Sequence, residues 1–310
     1  MTKRQRRYKL IANPHAGRGK ANLIIADTVR LLNARGVLYE LEKTKGPNDA
    51  EQLARAACES DDVDVLVSIG GDGTLNEIVQ EAIFTHKPIA VIPAGSGNDF
   101  SRMLNTPKGL PAVVDMVLRH QTKSIDAGKM NHRYFANGVG IGFDAAVNFN
   151  TRSIRFIKTG LAIYFLAFLK TLNRYKPCPM KITINSETIE QEMLLVSVGN
   201  GTTCGGGFKL TPHALIDDGM LDITMVKPLS LPKLFWHLPK VFLGTIEKTE
   251  HAITRRTARL TIRSEHPLPI QVDGEVYALE GNPCEISVVP KALTVIGNFD
   301  SEGFGHGRGG

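Results

Sequence analysis

A chain of 310 residues is long enough for two domains of about 100–200 residues each. Its 42% hydrophobic and 22% charged content exclude a disordered chain, and its longest apolar run, Leu161 to Leu169, is far short of the roughly 20 residues a membrane-spanning helix needs. The net charge of +6 suits an anionic partner, and the four cysteines are scattered with no C-x-x-C pair, which argues against a disulfide frame or zinc knuckle and for a reduced, cytoplasmic setting. The basic leader Lys3-Arg4-Gln5-Arg6-Arg7 has no signal-peptide core behind it, because Leu10-Ile11-Ala12 stops at Asn13-Pro14.

In chain order, Tyr8 to Ala12 reads as a short strand, and Asn13-Pro14-His15-Ala16-Gly17-Arg18-Gly19-Lys20 as a polar, Gly-rich loop. Apolar residues at helical spacing follow from Ala21 to Asn33. Val37 to Leu41 is the next strand, running into Thr44, and Asp49 to Cys58 the next helix. Val65 to Ile69 is a strand that breaks on Gly70, Gly71 and Gly73 around Asp72, after which Leu75, Ile78, Val79 and Ala82 resume helical spacing. Ile89 to Pro93 and Ala94-Gly95-Ser96-Gly97-Asn98-Asp99 repeat the strand-to-glycine-loop pattern. Strands alternating with helices predict a parallel sheet flanked by helices, and ligands in such sheets gather at the carboxyl ends of the strands. Asn13 to Gly17, Thr44, Gly70 to Asn76 and Gly95 to Asn98 are therefore expected to crowd one edge and wrap one nucleotide.

The turn at Gly70 organises the rest. Glycine lets the backbone bend sharply and lets a phosphate approach, and a helix start adds unpaired N–H groups. Asp72 would repel phosphate unless a cation lies between them or it handles a proton. The P-loop spelling fails, because the nearest lysine, in Gly19-Lys20-Ala21, has Pro14 in the first glycine slot and Ala21 in the hydroxyl slot. The dinucleotide fingerprint fails at Asn76, and the nucleophile elbow at Ala94.

Gly70-Gly71-Asp72-Gly73-Thr74-Leu75-Asn76-Glu77 resembles the signature of the diacylglycerol kinase catalytic domain superfamily, which includes bacterial soluble lipid kinases and eukaryotic sphingosine and ceramide kinases. More distantly, the same turn is found in NAD kinases and phosphofructokinases. Pro93-Ala94-Gly95-Ser96-Gly97-Asn98 reads like the lipid-kinase version of the last loop. The resemblance implies that Asn13, Pro14, His15, Ala16, Gly17, Thr44, Gly70, Gly71, Asp72, Gly73, Thr74, Leu75, Asn76, Gly95, Ser96 and Asn98 bind ATP. Ser96 stands where many bacterial relatives have threonine and keeps the hydroxyl. Asp99 reads as a helix N-cap ahead of a substrate ligand. The resemblance also puts Asp126 at the ATP and metal region, against a reading as a turn-capping acid.

From Asp126 onward the texture changes. Short alternating segments at Tyr134 to Ala136, Lys181 to Asn185, Met193 to Val198, Leu221 to Val226, Leu260 to Arg263, Pro269 to Asp273 and Cys284 to Val289 predict a β-sandwich. The expected organisation is α/β plus β: residues 1–126 as a parallel-sheet ATP-binding domain with flanking helices, 127–298 as a β-sandwich lipid-substrate domain, and 299–310 as a disordered Gly-rich tail. The active site is expected in the cleft between the two domains. Asn200-Gly201 with Gly205-Gly206-Gly207 is a ligand-permissive loop. Asp217-Asp218-Gly219 is a turn suited to a hard cation. By resemblance it holds Mg²⁺ through the Leu215 and Met220 carbonyls and the Asp218 side chain. Asp273-Gly274-Glu275 alone is a hairpin signal; by resemblance Glu275 is the general base.

Arg152, Arg155 and Lys158 precede the apolar run at Leu161, and Leu229 to Leu243 sets Phe235, Trp236 and Phe242 among Lys233, His237 and Lys240. Each stretch reads first as a buried core helix, with docking on anionic lipid as the competitor. The sum is a cytoplasmic, peripherally membrane-associated lipid kinase that uses ATP and Mg²⁺, with Asp72 and Glu275 catalytic. Its expected partners are a lipid alcohol, diacylglycerol first with phosphatidylglycerol, sphingoid bases and prenyl alcohols as alternatives, and an anionic membrane surface, with no nucleic acid; homodimerisation stays open. An NAD kinase is the enzyme rival, and a nucleotide sensor without turnover the rival of another class.

Overall fold

The computed structural model describes residues 4–151, 153–154, 160–172, 174–277 and 283–299. Arg152, Arg155, Lys158 and the tail from Ser301 lie outside these. The chain divides into two compact units, Met1–Ile125 with Lys291–Gly310, and Asp126–Pro290.

In the first unit, strands β1 (Arg7–Ala12), β2 (Leu38–Lys43), β3 (Val65–Gly70) and β4 (Ile89–Pro93) alternate with helices α1 (Ala21–Ala34), α2 (Asp49–Glu59) and α3 (Asp72–Ala82). Helices α4 (Asp99–Met103) and α5 (Leu110–Arg119) follow. All four strands are parallel, in the order β2-β1-β3-β4. Every residue of β3 is buried, which is why it reads as a continuous apolar run. Leu10, Val67, Ile69, Ala90 and Ile92 pack with Ile25 and Leu32 of α1 and Val113 and Val117 of α5. The expected second domain ran through residue 298, but Lys291–Ile296, the end of the chain's final strand, belongs to this first unit. Val295 pairs in parallel with Ile89, Phe84 N–H donates to Ala292 O, and Ile296 enters the core.

In the second unit, β5 (Thr122–Met130) leads in, followed by β6 (Arg133–Phe135), β7 (Gly138–Gly142), α6 (Phe143–Thr151) and α7 (Gly160–Leu172). Then come β8 (Cys178–Ile184), β9 (Glu187–Met193), β10 (Leu195–Gly199), β11 (Leu221–Val226) and α8 (Leu231–Leu243). The last strands are β12 (Ala252–Thr257), β13 (Arg259–Arg263), β14 (Ile270–Val272), β15 (Glu275–Tyr277) and β16 (Cys284–Ile296). One antiparallel sheet runs β12-β11-β10-β7-β14-β15, and β9-β8-β13 with the first part of β16 forms the other. Their inner faces enclose Phe135, Ile141, Met180, Ile182, Val196, Ile223, Leu260, Ile270 and Ile286, the β-sandwich expected from the sequence.

Neither apolar helix is a plain core helix. Ile163, Ala167 and Phe168 of α7 are buried, but Phe165 and Leu166 are exposed. Helix α8 has no fully buried residue. It closes at Gly244, whose φ of 71° suits glycine and whose N–H turns back to the carbonyls of Lys240 and Val241. Among the described residues no helix is long and apolar enough to cross a membrane.

Candidate active-site elements

The parallel register of the first unit sets its loops side by side. Ala12 pairs with Lys43 and Ile69, and Gly70 pairs with Pro93, so the segments after β1, β2, β3 and β4 leave one sheet edge at the same level. They are also stitched together. Thr44 N–H donates to Ala12 O at 2.9 Å, Ala94 N–H to Gly70 O at 2.8 Å, and the Asn13 side-chain amide to Thr74 Oγ1 at 3.2 Å. Close backbone packing needs the glycines. A Cβ on Gly95 would lie 2.4 Å from Gly71 Cα, and one on Gly17, at φ 56°, would lie 2.5 Å from Ala94 O. Helix α3 starts at Asp72, so its first-turn N–H groups face this edge without acceptors inside the helix.

Individual side chains divide by role. His15 and Ser96 are exposed at the edge, and Thr44, Thr74 and Asn76 are buried behind it. Leu75 points into the core, so only its backbone can serve a ligand. Asp72 Oδ1 accepts the Phe100 N–H at 3.4 Å, at the start of α4. The N-cap position there is Asn98, which makes no side-chain capping bond; Asp99 is the first helical residue, and its carboxylate pairs with Arg102 at 2.5 Å. Asn98 also closes its own loop, accepting from Gly95 N–H at 2.9 Å and donating to Gly95 O at 3.0 Å. Glu77, part of the signature, caps a different helix: its two oxygens accept the N–H groups of Asn48 and Ala50, each at 3.0 Å, at the start of α2.

In the second unit the Asp273-Gly274-Glu275 turn joins β14 to β15, with Val272 paired to Glu275. Asp273, at φ 46°, is the clamp. Its carboxylate accepts the N–H groups of Ala136, Asn137 and Gly138 at 2.8–2.9 Å. The Gly274 N–H donates to Gln271 Oε1 at 2.7 Å, and the Gly274 carbonyl accepts from Asn148 at 2.5 Å. The turn that carries Glu275 is thus fixed on both sides.

Beside this turn opens an apolar cavity. It is lined by Phe143, Val147, Phe168, Leu195, Phe208 and Val241 among others, and reaches Gln271 and Gly274. Its volume is about 110 Å³, and apolar side chains make up most of its lining. Asp144 stands in its wall, and sequence reasoning missed it. The carboxyl is fully buried, and neither oxygen makes a well-formed hydrogen bond. Space for it comes from Gly140, where a Cβ would meet Asp144 Oδ2 at 1.7 Å and Gln271 Nε2 at 2.6 Å. Burial pushes its pKa up to about 6, against the smaller opposing pull of the Ala145 N–H and the Gln271 amide. The sequence signal was Gly138, Gly140 and Gly142 alternating on one face of β7 ahead of a lone acid.

This acid makes a pH prediction. Its folded pKa lies above its unfolded one, so its contribution to stability is complete below about pH 4 and is lost as pH rises through about 6. The gap is worth roughly 3 kcal/mol. Asp144→Asn is expected to gain on the parent by up to that amount between pH 4 and pH 8, read by urea denaturation at both; parallel curves would contradict it.

The Asp217-Asp218-Gly219 turn lies in the same unit. Asp126, fully buried, accepts the Gly219 N–H at 2.6 Å, and its backbone N–H donates to Ile216 O at 2.7 Å. The structure therefore brings Asp126 to this turn. Asp218 with the Leu215 and Met220 carbonyls is an all-oxygen set, the chemistry a hard cation prefers. The Asp218 carboxylate already accepts the Met220 N–H at 3.1 Å and pairs with Arg256, which also reaches Asp222 at 3.2 Å. In this structure the Arg256 guanidinium takes the place a cation would hold at the Asp218 carboxylate.

The chain thus carries a helix-flanked parallel sheet with clustered glycine turns and, in its second unit, a β-sandwich with an apolar cavity. The diacylglycerol kinase catalytic domain model matches residues 7–130, and the YegS C-terminal NAD kinase beta sandwich-like domain model matches residues 137–297. Diacylglycerol kinase of Mycobacterium tuberculosis (strain CDC 1551 / Oshkosh) is 32% identical over 294 residues, covering 92% of this chain and 93% of that protein. The enzyme of the same name from Staphylococcus epidermidis (strain ATCC 12228 / FDA PCI 1200) is 30% identical over 273 residues, covering 87% and 86%. A solved diacylglycerol kinase from Bacillus anthracis str. Sterne superposes with a TM-score of 0.73 at 25% identity, covering 96% of this chain and 98% of that one. The chain belongs to the diacylglycerol kinase family, a family of lipid kinases.

Proposed function

We propose that this protein transfers the γ-phosphoryl group of ATP to the hydroxyl of a lipid alcohol, with diacylglycerol as the acceptor and phosphatidic acid as the product. The apolar cavity of the second unit, with a buried carboxyl beside the turn that carries Glu275, is the observation that carries this reading. Relatives named diacylglycerol kinase at 30–32% identity support the choice of acceptor.

The Asn13–Gly17, Thr44, Gly70–Asn76 and Gly95–Asn98 segments hold ATP, chiefly through backbone N–H groups. Asp72 organises the charge around the phosphates. An acyl chain enters the cavity from its mouth, and Asp144, neutral below about pH 6, anchors the polar end of the acceptor by hydrogen bonding. Glu275 takes the hydroxyl proton as the new O–P bond forms and the bond to the leaving ADP oxygen breaks. A divalent ion, held by Asp218 and the carbonyls of Leu215 and Met220, would supply fixed positive charge near Asp126. Few polar groups line the cavity, which disfavours the ribose and phosphates of a dinucleotide acceptor and so an NAD kinase-like activity.

The test is to incubate the protein with γ-labelled ATP and a total lipid extract, alongside Asp72→Ala. Label in phosphatidic acid, lost in the variant, is expected. Label in another lipid would replace the acceptor, and label only in a water-soluble product would overturn the lipid reading. Nucleotide binding without any transfer would favour a sensor.

A further inference from the structure

Helix α8 has two faces with different tasks. Leu234, His237, Leu238 and Val241 line the cavity. The other side carries Leu231, Phe235, Trp236, Phe242 and Leu243, all exposed, with Trp236 76% exposed and Leu243 71%. Exposed large hydrophobics are otherwise sparse: of the twelve among the described residues, seven lie on α7 and α8. Edge-on ring contacts bind the two helices into one patch, Phe168 with Phe235 at 5.9 Å, and Phe208 meets Phe242 at 4.6 Å.

The charge of the patch selects its partner. Helix α8 contains Lys233 and Lys240 and no acid, and Lys170 and Arg174 stand exposed at the end of α7. The acids that follow α8 lie beside imidazoles, Glu247 at 2.8 Å from His213 and the exposed Glu250 at 3.2 Å from His251, and on the two helices themselves the charges are cations. A second soluble protein would leave these cations to be matched individually, whereas an anionic bilayer satisfies them collectively and takes the aromatic side chains into its interface. Pro239 lies inside the helix, where it offers no N–H to the carbonyl of Phe235, so the helix has a weak point midway along the cavity wall.

We propose that α8, with the outer face of α7, is the element by which the protein docks on anionic membrane, and that the same helix forms the wall through which a lipid passes from bilayer to cavity. This rests on the lipid-kinase reading for its purpose but not for its measurement. Trp236 is the chain's single tryptophan, so its emission reports on this surface alone.

The experiment adds vesicles of phosphatidylcholine, with or without phosphatidylglycerol, to the full chain. A blue shift with the anionic vesicles, reversed by high salt, is expected. Leu231→Ser with Leu243→Ser, neither of which lines the cavity, is expected to lower vesicle partitioning at least about tenfold. The same double variant should phosphorylate a dispersed short-chain acceptor at the parental rate and a vesicle-borne one more slowly. No shift with anionic vesicles would overturn the proposal, as would a shift that follows protein concentration without vesicles, which marks a second copy as the occupant. Docking without lipid phosphorylation would sink the function and spare the surface; phosphorylation of short-chain acceptors with no shift would do the reverse.

Discussion

Glu275→Gln is expected to slow phosphoryl transfer by about 10²–10⁴-fold, the usual cost of removing a positioned general base. A glutamine keeps the size and hydrogen-bonding capacity of the side chain but cannot accept the hydroxyl proton. The turn should survive, because Asp273, Gln271 and Asn148 hold it through bonds that do not involve the Glu275 carboxyl. Nucleotide affinity should also survive, since the proposed ATP segments lie in the first unit. Rapid-quench single-turnover transfer, paired with calorimetric titration of a non-hydrolysable ATP analogue, measures both. A parental transfer rate would remove Glu275 from the mechanism, and a loss of analogue binding would make its role structural.

Gly95→Ala is expected to weaken ATP binding and, by displacing the bound phosphates, to slow transfer by about a hundredfold, the order that a displacement of about 1 Å costs in a positioned site. The added methyl meets Gly71 Cα at 2.4 Å and Asn98 Oδ1 at 2.9 Å, and the first of these is backbone that cannot rotate away. Gly71→Ala should be milder, because its Cβ would find Gly95 Cα at 3.2 Å. Gly46→Ala is the control, with nothing within 4 Å. Equal effects at Gly95 and Gly46, by equilibrium binding of a fluorescent ATP analogue, would show that the glycine contact does not shape the nucleotide site.

The α/β half was legible because its signals are local. Buried parallel strands read as unbroken apolar runs, and glycine loops follow them, so the parallel sheet and its loop-bearing edge are foreseeable from local signals, whereas the order β2-β1-β3-β4 is not. The sandwich was less legible, and for identifiable reasons. Strand β7 is Gly-Val-Gly-Ile-Gly, a sequence that reads as loop until Gly140 is seen making room for a carboxyl. Strands β9 and β12 carry charge on their outer faces and so lack a continuous apolar signal. Site residues divided likewise. A glycine turn around an acid announces itself in one dimension, whereas Asp144 matters only because folding buries its carboxyl in an apolar wall. Glu77 shows the converse: a signature residue whose visible work is to hold the start of α2.

The first unit is not continuous in sequence. Its sheet takes up residues from the last strand of the chain, through Val295 beside Ile89 and Ile296 in the core. A ribosome therefore delivers most of the nucleotide-binding half first and its closing piece last, after the whole sandwich has emerged. Until then the β4 edge lacks that neighbour, a surface that invites pairing with other nascent chains. Production of residues 1–125 alone should accordingly yield inclusion bodies, whereas the sandwich, uninterrupted from Asp126 to Pro290, is expected to remain in the supernatant when produced alone.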